Sequence, residues 1–358
     1  MRVALVSTPF VSVPPRTYGG TELVVHDLLG GLARAGHHVT LFATGDSSAE
    51  DLRFAFPRAV WPPDPYIELL HCAQAARQIA AGSFDVVHAH SPAMLAFAEQ
   101  LRAPLVYTLH HAREERLSRY YAERPGVRYV AISRRQAELE GGLVCEVVHH
   151  GLDPARYLPL ELHAPPAAPF AFFLGRLSWC KGPELAAEAA ARAGMELLVA
   201  GKCHGDDNPP GWEERVLRPA LARPGVRWIG EADLAAKRRA FAAARALLVP
   251  IRWEEPFGLV LVEAMLAGCP VVSFRRGSAP ELVEEGVTGY LVDDVSGMAR
   301  ALQRSARFDR AACRRRALER FSSERMTRDY VAVYARAAGG RARPVAGRGE
   351  PASHSGAL

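Results

Sequence analysis

The feature that most constrains this chain is a rhythm. Short β-branched runs recur between longer segments whose apolar residues follow helical spacing, and the rhythm is interrupted once. Strands are expected at residues 3–6, 39–43, 86–89, 105–109, 129–132 and 146–149, with a helix over 21–34 that closes at Gly36. Strands alternating with helices in this way build parallel βαβ units, so the fold class is α/β. Next come Pro154, Pro159, Pro165, Pro166 and Pro169, a density that resists regular structure and marks a linker. Alternation then resumes, with strands at 170–174, 196–200, 226–229, 246–249 and 270–274 and a helix over 183–193. A last helix is expected over 323–337, with Ser323 as its N-cap. The division expected is a first domain over 1–153, a linker over 154–169, a second domain over 170–322, a helix over 323–338 and a disordered tail over 339–358. A chain of 358 residues suits two domains better than one core. No internal repeat is visible.

Composition narrows the class. Apolar residues make up 49% and charged residues 23%, the profile of a soluble globular protein. The apolar run at the start ends at Pro9 and is too short for a signal peptide, and no stretch approaches the ~18 apolar residues that span a bilayer. Stable membrane insertion is not expected. The six cysteines are scattered, with no zinc or redox pair, and a reducing cytoplasm is the simplest compartment. Net charge is +5, and the basic excess lies after residue 150. It is too sparse for nucleic acid and fits a small anion or merely a solvated surface. Of the 44 basic residues only Lys181, Lys202 and Lys237 are lysines, which singles them out.

In open parallel sheets, ligands bind beyond the carboxyl ends of the strands. Six of the 13 histidines stand at such ends: His88, His90, His110, His111, His149 and His150. A period-2 strand puts His88 and His90 on one face. Three readings compete: converging metal ligands, buried structural imidazoles (for His88, His111 and His149), or contact with a substrate hydroxyl, for which His110 is the candidate. The roles of His88, His90, His111 and His150 stay open.

Other segments offer anion chemistry. Gly19-Gly20 follows the first strand and precedes a helix, where glycines permit positive φ and close approach of a ligand to the backbone; a plain loop is the alternative. Gly175-Arg176 and Lys181-Gly182 end a strand with two cations, a clamp for a diphosphate or else two solvated side chains. In 250–268, Glu255 precedes a helix and Glu263 lies within it. Between them the amides of Phe257, Gly258 and Leu259 lie at the positive end of the helix dipole. Carboxylates accept hydrogen bonds from hydroxyls while amides and cations donate them to phosphates, so the stretch matches a ligand with an anionic middle and hydroxyls on either side. Two solvated glutamates are the bland reading.

Here the chain resembles the retaining nucleotide-sugar glycosyltransferases of family 4, which have the GT-B fold of two Rossmann-like domains facing each other across a cleft. The hallmark of Glu, seven residues, Glu is complete in Glu255 to Glu263, and the stretches 263–272 and 286–292 are family-like. Gly19-Gly20, the run from Asp85 to His90, and Thr108-Leu109-His110 follow the family in order and spacing, and the resemblance covers roughly residues 1–337. It implies that Glu255 and the amides of Phe257, Gly258 and Leu259 hold the donor sugar and its phosphate, and that Glu263 holds the ribose. It implies that Arg176 and Lys181 neutralise the diphosphate, that Gly19 and Gly20 approach it, and that His110 contacts the transferred sugar. Catalytic roles are thus expected of His110, Glu255, Arg176 and Lys181. The last helix is expected to return to the first domain. Two departures stand out: His150-Gly151 where the family often has Asn-Gly, and Gly277-Ser278 where it has Gly-Gly.

The expected reaction moves a sugar from a nucleotide diphosphate, uridine favoured, to a hydroxyl of a small-molecule acceptor. No Asp-x-Asp occurs, so neither a metal nor another cofactor is expected. A non-hydrolysing sugar epimerase, a transferase using a lipid acceptor at a membrane surface, and an inactive binding relative are the alternatives. A P-loop kinase is not expected, because Gly201-Lys202 lacks the upstream glycine and is followed by Cys203. Oligomeric state is not readable.

Overall fold

A computed structural model describes residues 1–16, 19–158, 169–203 and 208–339. Two parallel sheets carry the chain, as expected. The first contains β1 (Arg2–Val6), β2 (His38–Ala43), β3 (Asp51–Phe54), β4 (Val86–Ala89), β5 (Leu105–Thr108), β6 (Arg128–Ala131) and β7 (Cys145–Val147), in the order 3-2-1-4-5-6-7. Its helices are α1 (Gly20–Arg34), α2 (Pro65–Ala81), α3 (Glu115–Ala122) and α4 (Arg134–Glu140). The second contains β8 (Phe170–Leu174), β9 (Glu196–Ala200), β10 (Val226–Trp228), β11 (Leu247–Val249), β12 (Val271–Phe274) and β13 (Gly289–Val292), in the order 10-9-8-11-12-13. Its helices are α5 (Pro183–Arg192), α6 (Arg218–Leu221), α7 (Leu234–Ala243), α8 (Leu259–Leu266), α9 (Ala279–Leu282), α10 (Val295–Arg304) and α11 (Arg310–Phe321), and α12 (Ser323–Ala337) follows.

Both sheets are doubly wound in the same sense, outward from β1 and from β8. Each has a switch point where the connections diverge, between β1 and β4 in one and between β8 and β11 in the other. The loops leaving these four strands therefore form the natural ligand crevices. The central strands β1, β4, β5, β8, β11 and β12 are buried along nearly all their length because helices cover both faces of each sheet, whereas the edge strands β3 and β10 carry Asp51, Arg53 and Arg227. Val24, Leu28 and Leu32 of α1 pack on one face of the first sheet together with Met326, Tyr330 and Tyr334 of α12.

Several local expectations need correction. The N-cap of α12 is Ser322, not Ser323: Ser322 has extended backbone and its Oγ accepts from the Arg325 amide at 3.4 Å. The strand ending at 149 stops at Val147, so His149 and His150 lie in the loop beyond it. The proline-rich segment is not structureless from its start. Asp153 caps a short 3-10 turn over Pro154–Tyr157, where proline at the first position costs no hydrogen bond. Residues 159–168, the rest of the expected linker, and 340–358 of the expected tail lie outside the described residues.

Candidate active site

The chain leaves β1 into the glycine pair and leaves β11 into the 250–258 loop, and these two exits meet. A Cβ placed on Gly20 would come 3.2 Å from Leu259 Cδ1, so the starts of α1 and α8 face each other across the gap between the sheets. Leu259 packs against the cores of both halves. Gly19 is required sterically, since a Cβ there would sit 2.8 Å from Pro15 Cβ. Its φ of 163° is extended backbone, so the left-handed freedom expected of this pair is not what it supplies. Beneath it, Glu22 is buried and accepts from Thr8 Oγ1 at 2.6 Å, and burial raises its pKa.

The chain enters α8 through a glycine. Gly258 caps the helix with φ 80°, a left-handed turn that a side chain would strain. Among the described residues, no protein acceptor takes the amides of Phe257, Gly258 and Leu259. The loop before them is fixed from α9: Ser278 donates its amide to Glu255 O at 3.0 Å and its hydroxyl to Phe257 O at 2.6 Å. The departure from Gly-Gly thus adds a buried hydroxyl with an acceptor.

Lys181 and Glu255, which the sequence assigned to different parts of a ligand, are ion-paired with each other. Trp253 Nε1 donates to the same Glu255 oxygen at 2.9 Å, and its ring lies 4.9 Å from the ammonium. Arg252 fastens this loop to the one after β8, with its amide on Cys180 O at 2.8 Å and its guanidinium on Glu184. Arg176 follows Gly175, the first residue beyond β8, and is half-buried in the loop that carries Lys181. Glu263, on the inner side of α8, is 6% exposed. Its Oε1 accepts from Tyr157 OH at 2.8 Å and from Lys237 Nζ at 3.1 Å.

The histidines form a stack running from α12 to this loop. His88 is fully buried, bonded to Tyr334 OH at 2.7 Å and Thr108 Oγ1 at 2.8 Å, and its ring centroid lies 4.2 Å from that of His90. His90 Nδ1 bonds His110 Nε2 at 2.7 Å, His110 stacks on His150 at 5.3 Å, and His150 meets Phe257 edge-on at 5.0 Å. Burial drives all four imidazoles down, His88 and His150 to about 3, so they are neutral at pH 7. Burial thus fits the structural reading of His88. It fails for His111, which is exposed. His149 is bonded at 2.5 Å to Glu281. Among the described residues, no His, Cys, Asp and Glu cluster has the makings of a metal site.

Glu281 of α9 also accepts from the amides of Arg134 (2.8 Å) and Arg135 (3.4 Å), and Arg135 pairs with Glu254 at 2.9 Å. These contacts span the two halves beside the 250–258 loop. The sequence reading gave no role to Tyr157, Lys237, Trp253 or Glu281. Lysine scarcity was the one signal that pointed at any of them.

Known proteins match this architecture in both halves. The model described as Glycosyltransferase Family 4 matches residues 18–156, and that described as Glycosyl transferases group 1 matches residues 168–307. A phosphatidyl-myo-inositol mannosyltransferase of Mycolicibacterium smegmatis is 30% identical over 84% of this chain and 84% of its own. The chain belongs to the family 4 glycosyltransferases. A glycogen synthase of Mycobacterium tuberculosis is 28% identical over 92% of this chain and 91% of its own. A glycosyltransferase involved in avilamycin A biosynthesis superposes with a TM-score of 0.74 at 27% identity, covering 95% of this chain and 99% of that one. The Anabaena protein HepE, solved with UDP and glucose, gives 0.71 at 21% identity over 94% of this chain and 100% of its own, a likeness of fold. This family 4 enzyme therefore has the GT-B fold, and its chemistry is glycosyl transfer. Among the described residues no helix is long and apolar enough to cross a membrane.

Proposed function

We propose that this family 4 enzyme transfers a sugar, with retention and without a metal, from a uridine diphosphate sugar to a hydroxyl of a small-molecule acceptor. The observation that carries the reading is the convergence of Lys181, Glu255 and the open amides of Phe257, Gly258 and Leu259 opposite Gly20, at the switch points of both sheets. Diphosphate in this position meets helix-start amides and the ammonium, with Arg176 in the same loop, which stabilises the charge that develops on the leaving group. Lys181 and Glu255 hold each other until the donor arrives, the ammonium then serving phosphate and the carboxylate a sugar hydroxyl. Glu263 takes the ribose. Neutral His110, held by His90, contacts the transferred sugar as a hydrogen-bond partner rather than as a cation.

In the step itself the bond from the anomeric carbon to the phosphate oxygen breaks as the acceptor oxygen attacks from the same face. The acceptor's proton passes to the departing phosphate oxygen, so atoms and charge balance without an enzyme nucleophile. Uridine is favoured by the family, and the relative solved with UDP agrees with it. A thermal-shift panel of nucleotides and nucleotide sugars tests the donor, since a ligand that binds only the folded state raises the melting temperature. No stabilisation by UDP or a UDP-sugar refutes the uridine assignment. The proton spectrum of the glycoside gives its anomeric configuration, and inversion refutes the mechanism. Epimerised donor formed without acceptor would establish the epimerase reading instead.

A further inference from the structure

The hallmark glutamate within α8 is held by two residues from outside its own helix. Glu263 is 6% exposed, and a carboxylate at that depth needs both a cation and a hydrogen-bond donor to offset its lost hydration. Lys237 of α7 supplies the first at 3.1 Å and Tyr157 the second at 2.8 Å. Both act on Oε1, and among the described residues no donor reaches Oε2. The choice of lysine is informative in a chain with 44 basic residues of which three are lysines. A guanidinium forks onto both oxygens of a carboxylate, whereas an ammonium binds as a point charge and leaves the second oxygen available. Two of the three lysines pair with the two hallmark glutamates, Lys181 with Glu255 and Lys237 with Glu263.

Tyr157 arrives by a different route. It ends the 3-10 turn that leaves the first domain, and that turn is anchored at both ends. Arg156 pairs with Asp27 of α1 at 2.6 Å, and Arg314 of α11 donates to the Tyr157 carbonyl at 2.7 Å. Burial and the neighbouring carboxylate push the Tyr157 phenol up, so it remains a donor.

We propose that Lys237 and Tyr157 are positioning residues for the nucleotide: they fix one oxygen of Glu263 so that the other accepts the ribose diol, and through it they set the preference for ribonucleotides over their deoxy forms. The proposal rests on the assignment of Glu263 to the ribose. It carries a specificity function into a residue of α7 and one of the interdomain turn.

The test compares UDP, 2′-deoxy-UDP and 3′-deoxy-UDP by calorimetry, on the full chain, in wild type, Lys237→Met, Tyr157→Phe and Glu263→Gln. Wild type is expected to prefer UDP about tenfold or more, because a site built around a hydroxyl is left with an unpaired acceptor when that hydroxyl is missing. In Lys237→Met and Tyr157→Phe, UDP binding should weaken severalfold and the preference over at least one deoxy form should shrink toward unity. Donor KM should rise, with turnover at saturation within a few fold. A general loss of structure would weaken all three ligands alike and keep the ratio, and that outcome overturns the proposal. Tyr157→Phe keeps the ring and its packing, so it decides the matter if Lys237→Met fails to fold. If Glu263→Gln abolishes the preference while the other two variants keep it, the positioning roles fall and the ribose assignment survives. If Glu263→Gln itself keeps the full preference, the ribose assignment fails and takes this proposal with it.

Discussion

The pair Lys181 and Glu255, with side chains 19% and 13% exposed, shows why single residues here answer to two demands. Without a ligand, each side chain neutralises a buried charge on the other; with one, each is expected to change partner. Removing only one member leaves its mate uncompensated, which costs on the order of 3 kcal/mol for a buried pair. Lys181→Met and Glu255→Gln should each lower the melting temperature of the ligand-free protein, and the double variant should be less destabilised than the two losses summed. Additive losses in that cycle would show that the contact carries no coupling. Gly182 is constrained more simply. Its φ is 69°, and a Cβ there would stand 2.5 Å from the Pro250 carbonyl. Gly182→Ala should destabilise the fold by about 1–3 kcal/mol, read as a lower denaturation midpoint with unchanged slope.

At the scale of elements, the ends of β4 and β5 and the loop after β7 stack their imidazoles while α12 closes one end of the stack with Tyr334 and Tyr330. Burial lowers His71 to about 4 and His88 and His150 to about 3, against an ordinary value of 6.5. For a base with a depressed folded value, the unfolded chain takes up the proton first. The stability is therefore fully present above pH 6.5 and is lost as pH falls toward the folded values. Each such histidine removes about 1.4 kcal/mol per pH unit below 6.5. Asp27, raised to about 6 by burial, and Glu22, raised likewise, work in the opposite direction but are outnumbered by the buried histidines. The melting temperature should therefore fall steeply from pH 6.5 to 5, and a flat profile over that range would contradict neutral burial of the stack. Both the His-x-His spacing at the end of β4 and the resemblance pointed to this region. That α12 supplies two tyrosines to it could not be read, because the partners are more than two hundred residues apart in the chain.

For the whole molecule, Glu281 is a tie between the halves beside the 250–258 loop, next to the pair of Arg135 with Glu254. Its carboxylate reaches the amides that begin α4 and the ring of His149, while its neighbour Ser278 holds the Glu255 loop. Burial pushes the Glu281 carboxyl up, but the hydrogen bonds from His149 and from the Arg134 and Arg135 amides outweigh it and leave it below its ordinary value, so it carries its charge at neutral pH. Glu281→Ala should reduce kcat/KM about tenfold or more and enlarge the radius of gyration measured by X-ray scattering in the presence of UDP. Unchanged compactness together with unchanged activity would show that the tie does not govern the approach of the domains. Closure of this kind excludes water from the reacting bond, so the variant is also expected to hydrolyse more donor per transfer.

What the sequence determined by itself was the alternation of strand and helix, the break between two parallel sheets, and the loops that leave β1, β8 and β11. Those follow from local periodicity, from proline and glycine, and from motif spacing along one segment. Tertiary structure decided which charges share a partner. It paired Lys181 with Glu255, brought Lys237 and Tyr157 to Glu263, placed His111 at the surface, and set Glu281 across the gap. The physical reason is that a carboxylate's partner depends on which elements pack around it. The winding order of two sheets and the return of α12 fix that packing, and neither is written in the pattern of any one stretch.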